Sequence, residues 1–156
     1  MNRKKEYYND WANNKPVNFS VRLFDFYHCR MLHKAKKEIG NLTSLHIMEI
    51  GVGFGYFARA VRDSGCEYSG IEMNERLATN LQNEGFEVTC GVVPPFPNDN
   101  KVDIIWLSHV LEHCATYLEA RDLIGKAYSA LKPGGHIVII SPDISRMRMN
   151  NTFRNK

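Results

Sequence analysis

Five residues in the first half of the chain could hold a polar ligand. Glu49 follows an apolar stretch and is itself followed by Gly51, Gly53 and Gly55. Glycines at alternate positions let the backbone turn sharply off a strand and approach a ligand closely, while the next helix directs its N–H groups at that ligand. Glu72 ends the second predicted strand, 21 positions after Gly51, and a carboxylate there can accept two hydrogen bonds from vicinal hydroxyl groups. The sequence therefore predicts a ligand site at the ends of two strands.

A second group of candidate residues follows a later apolar stretch, 102–107. His109 and His113 lie four positions apart, with Glu112 between them. An imidazole titrates near neutral pH and can take a proton from a hydroxyl group, so both histidines are candidate general bases. The pattern H-x-x-E-H could also bind zinc, but zinc needs both histidines on one helix face and a third ligand. A segment that leaves a strand is poor context for that, so no metal site is predicted; a divalent ion held by these side chains stays an alternative.

The spacing of the glycines separates two classes of ligand. The dinucleotide pattern G-x-G-x-x-G needs a small residue at position 56, where this chain has Tyr56. The pattern present, acidic-x-Gly-x-Gly-x-Gly, resembles motif I of the class I S-adenosylmethionine-dependent methyltransferases. The run 102–113 resembles their motif IV, and Leu-Lys-Pro-Gly-Gly at 131–135 resembles the turn before their fifth strand. The resemblance covers residues 45–143, which is most of the chain.

This resemblance implies a fold and a set of site residues. The fold is α/β, a Rossmann-like doubly wound parallel sheet in three α/β/α layers, with an N-terminal helical cap whose aromatic residues help to shape the substrate pocket. The cofactor is S-adenosylmethionine; the acidic residue of motif I attracts its amino group, and the acidic residue that ends the second strand binds its ribose. The implied cofactor-binding residues are Glu49, Gly51, Gly53, Gly55, Glu72, Met73, Val92 and Ser108.

One departure from the family pattern concerns adenine. Many relatives carry an acidic residue just after the third strand, which accepts a hydrogen bond from the adenine amino group. This chain has Gly-Val-Val-Pro-Pro at 91–95. Adenine is therefore expected to be held by backbone groups and by apolar contact with Met73 and Val92.

Periodicity places these residues on strands and helices. Apolar runs alternate with helical patterns, which indicates βαβ units and a parallel sheet. The predicted strands are 45–50, 67–72, 87–91, 102–107 and 136–141, the last after a turn at 132–135. Helices are predicted to end near Gly65 and Gly85, to run from the capping box Thr116-x-x-Glu119 to about 131, and to cover 19–38 ahead of the sheet. We divide the chain into a helical cap, 1–40, and a Rossmann-like domain, 41–156.

The last fifteen residues raise a question about the sheet. The family fold adds two further strands after the one predicted to end at 141, whereas residues 142–156 are polar, rich in Arg and Asn, and show no alternating pattern. The sequence predicts that this strand pair is absent through C-terminal truncation. The strand at 136–141 would then present an unpaired edge, through which two copies could form a homodimer.

The composition of the chain excludes several other classes of protein. A chain of 156 residues with 24% charged and 44% hydrophobic residues is typical of one globular domain. Its apolar runs are only strand-length, which predicts no membrane span, and its basic start lacks the apolar region of a signal peptide, which predicts a cytoplasmic location. A net charge of +3 with dispersed cations predicts no nucleic-acid partner. Four cysteines without a C-x-x-C pair predict buried, reduced thiols.

The function predicted from the resemblance is methyl transfer from S-adenosylmethionine to a small molecule, a sugar or a lipid intermediate, with O-methylation favoured. His109 is the first candidate for the base and His113 the second. Two alternatives stay open. The chain could be a non-catalytic cofactor-binding domain or a fragment that needs a partner chain. A nicotinamide-dependent oxidoreductase is the third hypothesis, because Glu72 would serve NAD equally well, but the glycine spacing and the fourth strand oppose it.

Overall fold

The structure is a computed structural model that describes residues 3–16, 22–93, 96 and 102–142. Its helices are α1 Arg3–Asn13, α2 Arg22–Ile39, α3 Tyr56–Arg62, α4 Glu75–Asn83 and α5 Tyr117–Ala130, with a 3₁₀ turn at Leu111–His113. Its strands are β1 His46–Ile50, β2 Glu67–Glu72, β3 Val88–Cys90, β4 Val102–Ser108 and β5 Leu131–Ile140. All pairings are parallel, in the order β3-β2-β1-β4-β5. The predicted Rossmann-like parallel sheet is confirmed.

Two apolar layers cover the sheet because successive side chains of a strand point to opposite faces. Ile47 of β1 and Trp106 of β4 face α2 and α3, where the Trp106 ring stacks on Phe57 with centroids 4.0 Å apart. Ile50 of β1 and its neighbours face α5, which contributes Leu123, Ala127 and Ala130. The near-continuous burial of β1 and β4 is what a central parallel strand covered on both faces requires. The sheet is thus the middle of three layers.

The two N-terminal helices contact different parts of this body. Leu32 and Ala35 of α2 share a core with β1 and β4, so α2 is a layer of the fold. Helix α1 lies beside the glycine loop, where its fully buried Ala12 packs between Phe54 and Leu77. The division of the chain at residue 40 stays a prediction.

The start of the last strand was predicted wrongly. β5 begins at Leu131, five residues before the predicted start, because Leu131 already pairs with Val102 of β4. The Lys-Pro-Gly-Gly segment that follows has no partner residue on β4 and forms an irregularity within the strand. The register slips between the pairs Val102↔Leu131 and Ile104↔His136. Gly134, with φ of 80°, accommodates the extra residues. β5 is one edge of the described sheet and β3 is the other. The predicted loss of a strand pair falls on residues 143–156, which lie outside the described residues.

Two local predictions had opposite outcomes. The capping box is confirmed, since Glu119 N–H donates to Thr116 Oγ1 at 3.1 Å and Ala115 N–H donates to the Glu119 carboxylate at 2.6 Å. The burial of all four thiols was wrong, because Cys29 and Cys90 are exposed: α2 turns the first toward solvent and the second ends the edge strand β3. Within the described ranges, every helix is too short or too polar to cross a membrane.

Candidate functional site

A cavity of about 240 Å³ lies at the carboxyl ends of the strands. The strand order reverses between β1 and β4, and ligands of open parallel sheets bind outside such a reversal because the loops on either side diverge there. The lining includes Gly51 after β1, Glu72 and Met73 after β2, Val92 after β3, His109 and His113 after β4, and Tyr8 of α1. The fold therefore brings most of the predicted site residues to one place.

Gly51 of the glycine loop lines this cavity, and Gly53 contacts another lining residue, Glu72. Gly51 and Gly53 have φ of 76° and 59°, a region that side chains with a Cβ rarely adopt. A Cβ placed on Gly53 would meet only the Tyr8 hydroxyl, at 4.0 Å, so the space above the loop is open to a ligand. The same Gly53 donates its N–H to Glu72 Oε2 at 2.8 Å. The loop thereby fixes the carboxylate beside its own open face.

Glu72 is buried and well supplied with donors. Its Oε1 accepts the Asn74 N–H at 2.7 Å and the Tyr8 hydroxyl at 3.3 Å. Burial raises the pKa of Glu72, although the backbone N–H groups of Asn74 and Gly53 and the Tyr8 hydroxyl oppose that shift. Tyr8 lies 64 positions away in sequence, so only the tertiary structure shows that a hydroxyl already binds this carboxylate. Oε1 of Glu72 therefore accepts a hydroxyl group in addition to a backbone N–H.

Glu49 and Ser108 lie outside the lining of the cavity. Glu49 is 2% exposed and accepts the Tyr68 hydroxyl at 2.7 Å. Burial raises the pKa of Glu49 to about 8; the Tyr68 hydrogen bond opposes this and the Glu72 carboxylate reinforces it. The Ser108 hydroxyl is buried without a partner among the described residues. Their predicted cofactor contacts stay predictions.

Gly55 is placed for packing against α4. It has φ of 76° at the N-cap of α3, and an added Cβ would run into Leu81 and come within 3.2 Å of the Arg59 guanidinium. No described feature directs Gly55 at the cavity. Its predicted part in cofactor binding stays a prediction.

Replacing Gly55 should therefore destabilise the protein itself. We expect Gly55→Ala to lower the free energy of unfolding by about 3 kcal/mol, from left-handed strain and overpacking together. Gly85→Ala is the matched control, because Gly85 has φ of 86° and nothing within 4 Å of its added Cβ, so only the strain of about 1–2 kcal/mol applies. Urea unfolding of both variants measures the difference. Equal losses would show that Leu81 moves aside freely.

His109 is held in an unusual conformation at the mouth of the cavity. Its φ is 56°, outside the range that non-glycine residues normally adopt, and its N–H donates to Ile140 O at 2.8 Å. Its Nδ1 lies 2.9 Å from Glu112 Oε1, and this contact fixes the orientation of the ring. Nε2 is the ring nitrogen that does not contact Glu112. Strain of this kind is maintained where the surrounding structure needs a side chain in one place. The sequence predicted His109 as a candidate base but did not predict its hydrogen bond with Glu112.

Aromatic side chains from three elements surround this mouth. The Tyr27 ring of α2 lies 6.4 Å from the His109 ring, and the Tyr8 ring of α1 lies 6.3 Å from the His113 ring. His28 stacks on Tyr56, which opens α3, and its Nδ1 is buried without a described partner; burial lowers its pKa to about 4. The helical periodicity of α2 places Tyr27 on the apolar face of that helix, but it does not predict the contact of Tyr27 with His109. The mouth can hold a flat or apolar group against these rings.

The described residues contain no cluster of three or more His, Cys, Asp or Glu side chains placed to hold a metal ion. The described charged groups that line the cavity are carboxylates, Glu72, Glu119 and Asp122. This charge favours a cationic ligand over an anionic one.

Known proteins resemble this chain over most of its length. The family described as "methyltransferase domain" matches residues 12–155. An uncharacterized methyltransferase of Mycobacterium leprae (strain TN) is 32% identical over 99 residues, 60% of this chain and 35% of that protein. The ubiquinone biosynthesis O-methyltransferase of Bradyrhizobium sp. (strain ORS 278) is 21% identical over 117 residues, 71% of this chain and 45% of that protein.

A solved structure supports the same fold. The N-methyltransferase NodS from Bradyrhizobium japonicum WM9, in complex with S-adenosyl-L-homocysteine, superposes with a TM-score of 0.70 and 19% identity over 89% of this chain and 72% of that one. The chain belongs to the methyltransferase domain family, as the match to nearly its full length shows. It spans a third to a half of the length of the curated relatives described above.

Proposed function

We propose that this chain binds S-adenosylmethionine in the cavity at the carboxyl ends of β1, β2 and β4 and catalyses methyl transfer to the hydroxyl group of a small molecule, a sugar or a lipid intermediate. The observation that carries the proposal is the pair of acidic and basic groups facing one cavity. Glu72 is fixed by the glycine loop on one side, and the His109–Glu112 pair stands at the mouth on the other. Family membership supports the reaction class.

The residues of the cavity fit this cofactor. Gly53 leaves open space above the loop, Gly51 lines the cavity, and Glu72 offers an oxygen that already accepts the Tyr8 hydroxyl. Met73 and Val92 supply the apolar contact that a flat base needs. The carboxylate lining suits a ligand with a net positive charge. When bound, S-adenosylmethionine supplies the electrophilic methyl group.

The chain's own contribution to the reaction is alignment and proton removal. Methyl transfer is an in-line displacement, so holding the acceptor oxygen in position lowers the barrier directly. His109 takes the hydroxyl proton at Nε2, and Glu112, bonded to Nδ1, stabilises the imidazolium that forms. The rings of Tyr8 and Tyr27 flank the two histidines and exclude water from one side of the acceptor. His113, which lines the cavity beside Tyr8, is the second candidate.

The assignment to oxygen rests on this base. An aliphatic ammonium would be held in its protonated, unreactive form by the surrounding carboxylates, whereas a hydroxyl group is neutral and needs only a base near it. The names of the similar proteins include both an O-methyltransferase and an N-methyltransferase, so they do not decide the atom. The His109–Glu112 pair favours O-methylation.

Calorimetric titration with S-adenosylmethionine tests cofactor binding. We expect Glu72→Ala to weaken binding about 10- to 100-fold, the value of hydrogen bonds to a charged group, and NAD to show no binding to the unchanged protein. Glu67→Ala is the matched control, because Glu67 is an exposed glutamate at the other end of the same strand. Circular dichroism verifies that each variant is folded. Full affinity in Glu72→Ala, or tighter binding of NAD, would contradict the proposal.

A second candidate function is cofactor binding without catalysis by this chain alone, and one observation favours it. Because the chain spans 35% of a curated methyltransferase relative, it could be a cofactor-binding domain that acts with another chain. The test is the release of S-adenosylhomocysteine in the presence of phenol, alcohol, sugar and lipid acceptors. Cofactor binding without turnover on any of them would favour this candidate over the enzyme.

A further inference from the structure

The first two helices differ in charge from the rest of the chain. Residues 1–40 contain nine Lys and Arg and four Asp and Glu, a net charge of +5, whereas the whole chain carries +3. The α/β body is therefore slightly acidic, with a net charge of −2 for residues 41–156. This excess of positive charge in residues 1–40 favours an anionic partner for that part of the chain.

Helix α2 also exposes apolar side chains that its packing does not explain. Leu32 and Ala35 point into the core, whereas Leu23 is 70% exposed and Phe26 is 63% exposed on the opposite side. Arg30, Lys34 and Lys37 continue the same line, at the spacing of three and four residues that keeps side chains on one helix face. We call these five residues the α2 stripe. It is apolar at the N-terminal end and basic along the remainder.

The cations of the stripe are available to a partner. Arg30, Lys34 and Lys37 are exposed, and none of them forms a salt bridge with a residue in the described part of the chain. The acids of α2 are Asp25 and Glu38, against five basic residues in the helix. The stripe therefore keeps a positive charge that no salt bridge among the described residues neutralises.

We propose that the α2 stripe binds the surface of a membrane that contains anionic lipids. Leu23 and Phe26 enter the boundary between headgroups and acyl chains, and the three cations reach the lipid phosphates along the same face. A nucleic acid would use the cations but would have no use for an exposed leucine, which is why the lipid surface fits better. Exposed apolar residues with flanking cations are the composition of an interfacial helix.

The position of the stripe connects it with the cavity. Tyr27 lies one helical turn after Leu23, on the same side of α2, and its ring lies beside His109, so a membrane contact at Leu23 brings the mouth of the site near the lipid surface. A lipid intermediate could then enter the mouth without crossing water. Only this last step rests on the proposed function, because the membrane contact stands on exposure and charge alone.

Flotation of the 156-residue protein with vesicles tests the proposal. We expect binding to phosphatidylcholine vesicles that contain phosphatidylglycerol, none to pure phosphatidylcholine, and a decline with added salt. The double variants Leu23→Asn/Phe26→Asn and Lys34→Glu/Lys37→Glu should each lower the bound fraction about tenfold. Tyr117→Ser/Leu118→Asn is the matched control, because it removes an equally exposed apolar pair from α5 and should change nothing.

Several outcomes would overturn the proposal. They are no binding of the folded protein to either vesicle, equal binding in all variants, a dimer in sedimentation equilibrium that Leu23→Asn/Phe26→Asn dissolves without vesicle binding, or retention on a single-stranded oligonucleotide in place of vesicles. Thermal unfolding of each variant verifies the fold, which should be unchanged because the replaced side chains are exposed. Calorimetry with S-adenosylmethionine on the same samples separates failure of the membrane contact from failure of the cofactor site.

Discussion

His109→Asn lowers the turnover number by about 10²- to 10⁴-fold, the usual contribution of a positioned general base. Asparagine tolerates the left-handed backbone that His109 adopts, so this change removes the imidazole while φ near 56° is retained. The expected loss appears in kcat and leaves S-adenosylmethionine affinity unchanged, because His109 acts on the acceptor proton. The measurement is the initial rate of S-adenosylhomocysteine formation with an acceptor that the turnover screen identifies.

Two further variants distinguish the contribution of the His109 imidazole from that of neighbouring residues. Glu112→Gln keeps the size of the side chain that holds Nδ1 but cannot stabilise the imidazolium by charge, so we expect a smaller loss, about tenfold. His33→Asn, on the exposed face of α2, is the control and should be fully active. Full turnover in His109→Asn would remove the base hypothesis, and a loss restricted to His113→Asn would move the role to His113.

Glu49 gives the largest expected effect on stability. We expect the free energy of unfolding to fall as the pH rises from 4.5 to about 8, because burial raises the pKa of Glu49 from 4.5 to about 8 in the folded protein. The folded state binds this proton more tightly than the unfolded chain, so the stabilisation is complete below pH 4.5 and is lost as the pH rises through the folded pKa. A shift of this size amounts to on the order of 5 kcal/mol.

Glu49→Gln isolates this contribution. The amide is neutral at every pH and can still accept the Tyr68 hydroxyl, so the variant should lose most of the pH dependence and be more stable than the unchanged protein above pH 8. Burial also raises the pKa of Glu72, so a smaller slope of the same sign should remain. Urea unfolding across this pH range is the measurement, with the exposed Glu87→Gln as control. An unchanged slope in Glu49→Gln would show that the carboxylate is ionised in the folded state.

The fold could be predicted from the sequence to a large extent, whereas the details of the site could not. Four of the five strands lie within two residues of their predicted ends, because buried strands alternate with amphipathic helices at spacings that local sequence reveals. The predicted start of β5 was wrong because glycine and proline usually mark a turn, whereas Leu131, which precedes them, already pairs with Val102 of β4. Tyr56 could be read only as a departure from the dinucleotide pattern, and its stacking on His28 depends on how α2 packs.

By itself, the sequence determined the α/β class, the glycine loop after β1 and the position of Glu72 at the end of β2. These features follow from the periodicity of burial and from short covalent spacing, which neighbouring residues encode. Only the tertiary structure decided that Tyr8 binds Glu72, that Gly55 packs on Leu81, that Glu49 lies beneath the loop with Tyr68, and that Tyr27 meets His109. Each of these contacts joins residues 19 to 82 positions apart. Sequence patterns indicate helices and strands but not the distances between them, because those distances depend on how the elements pack.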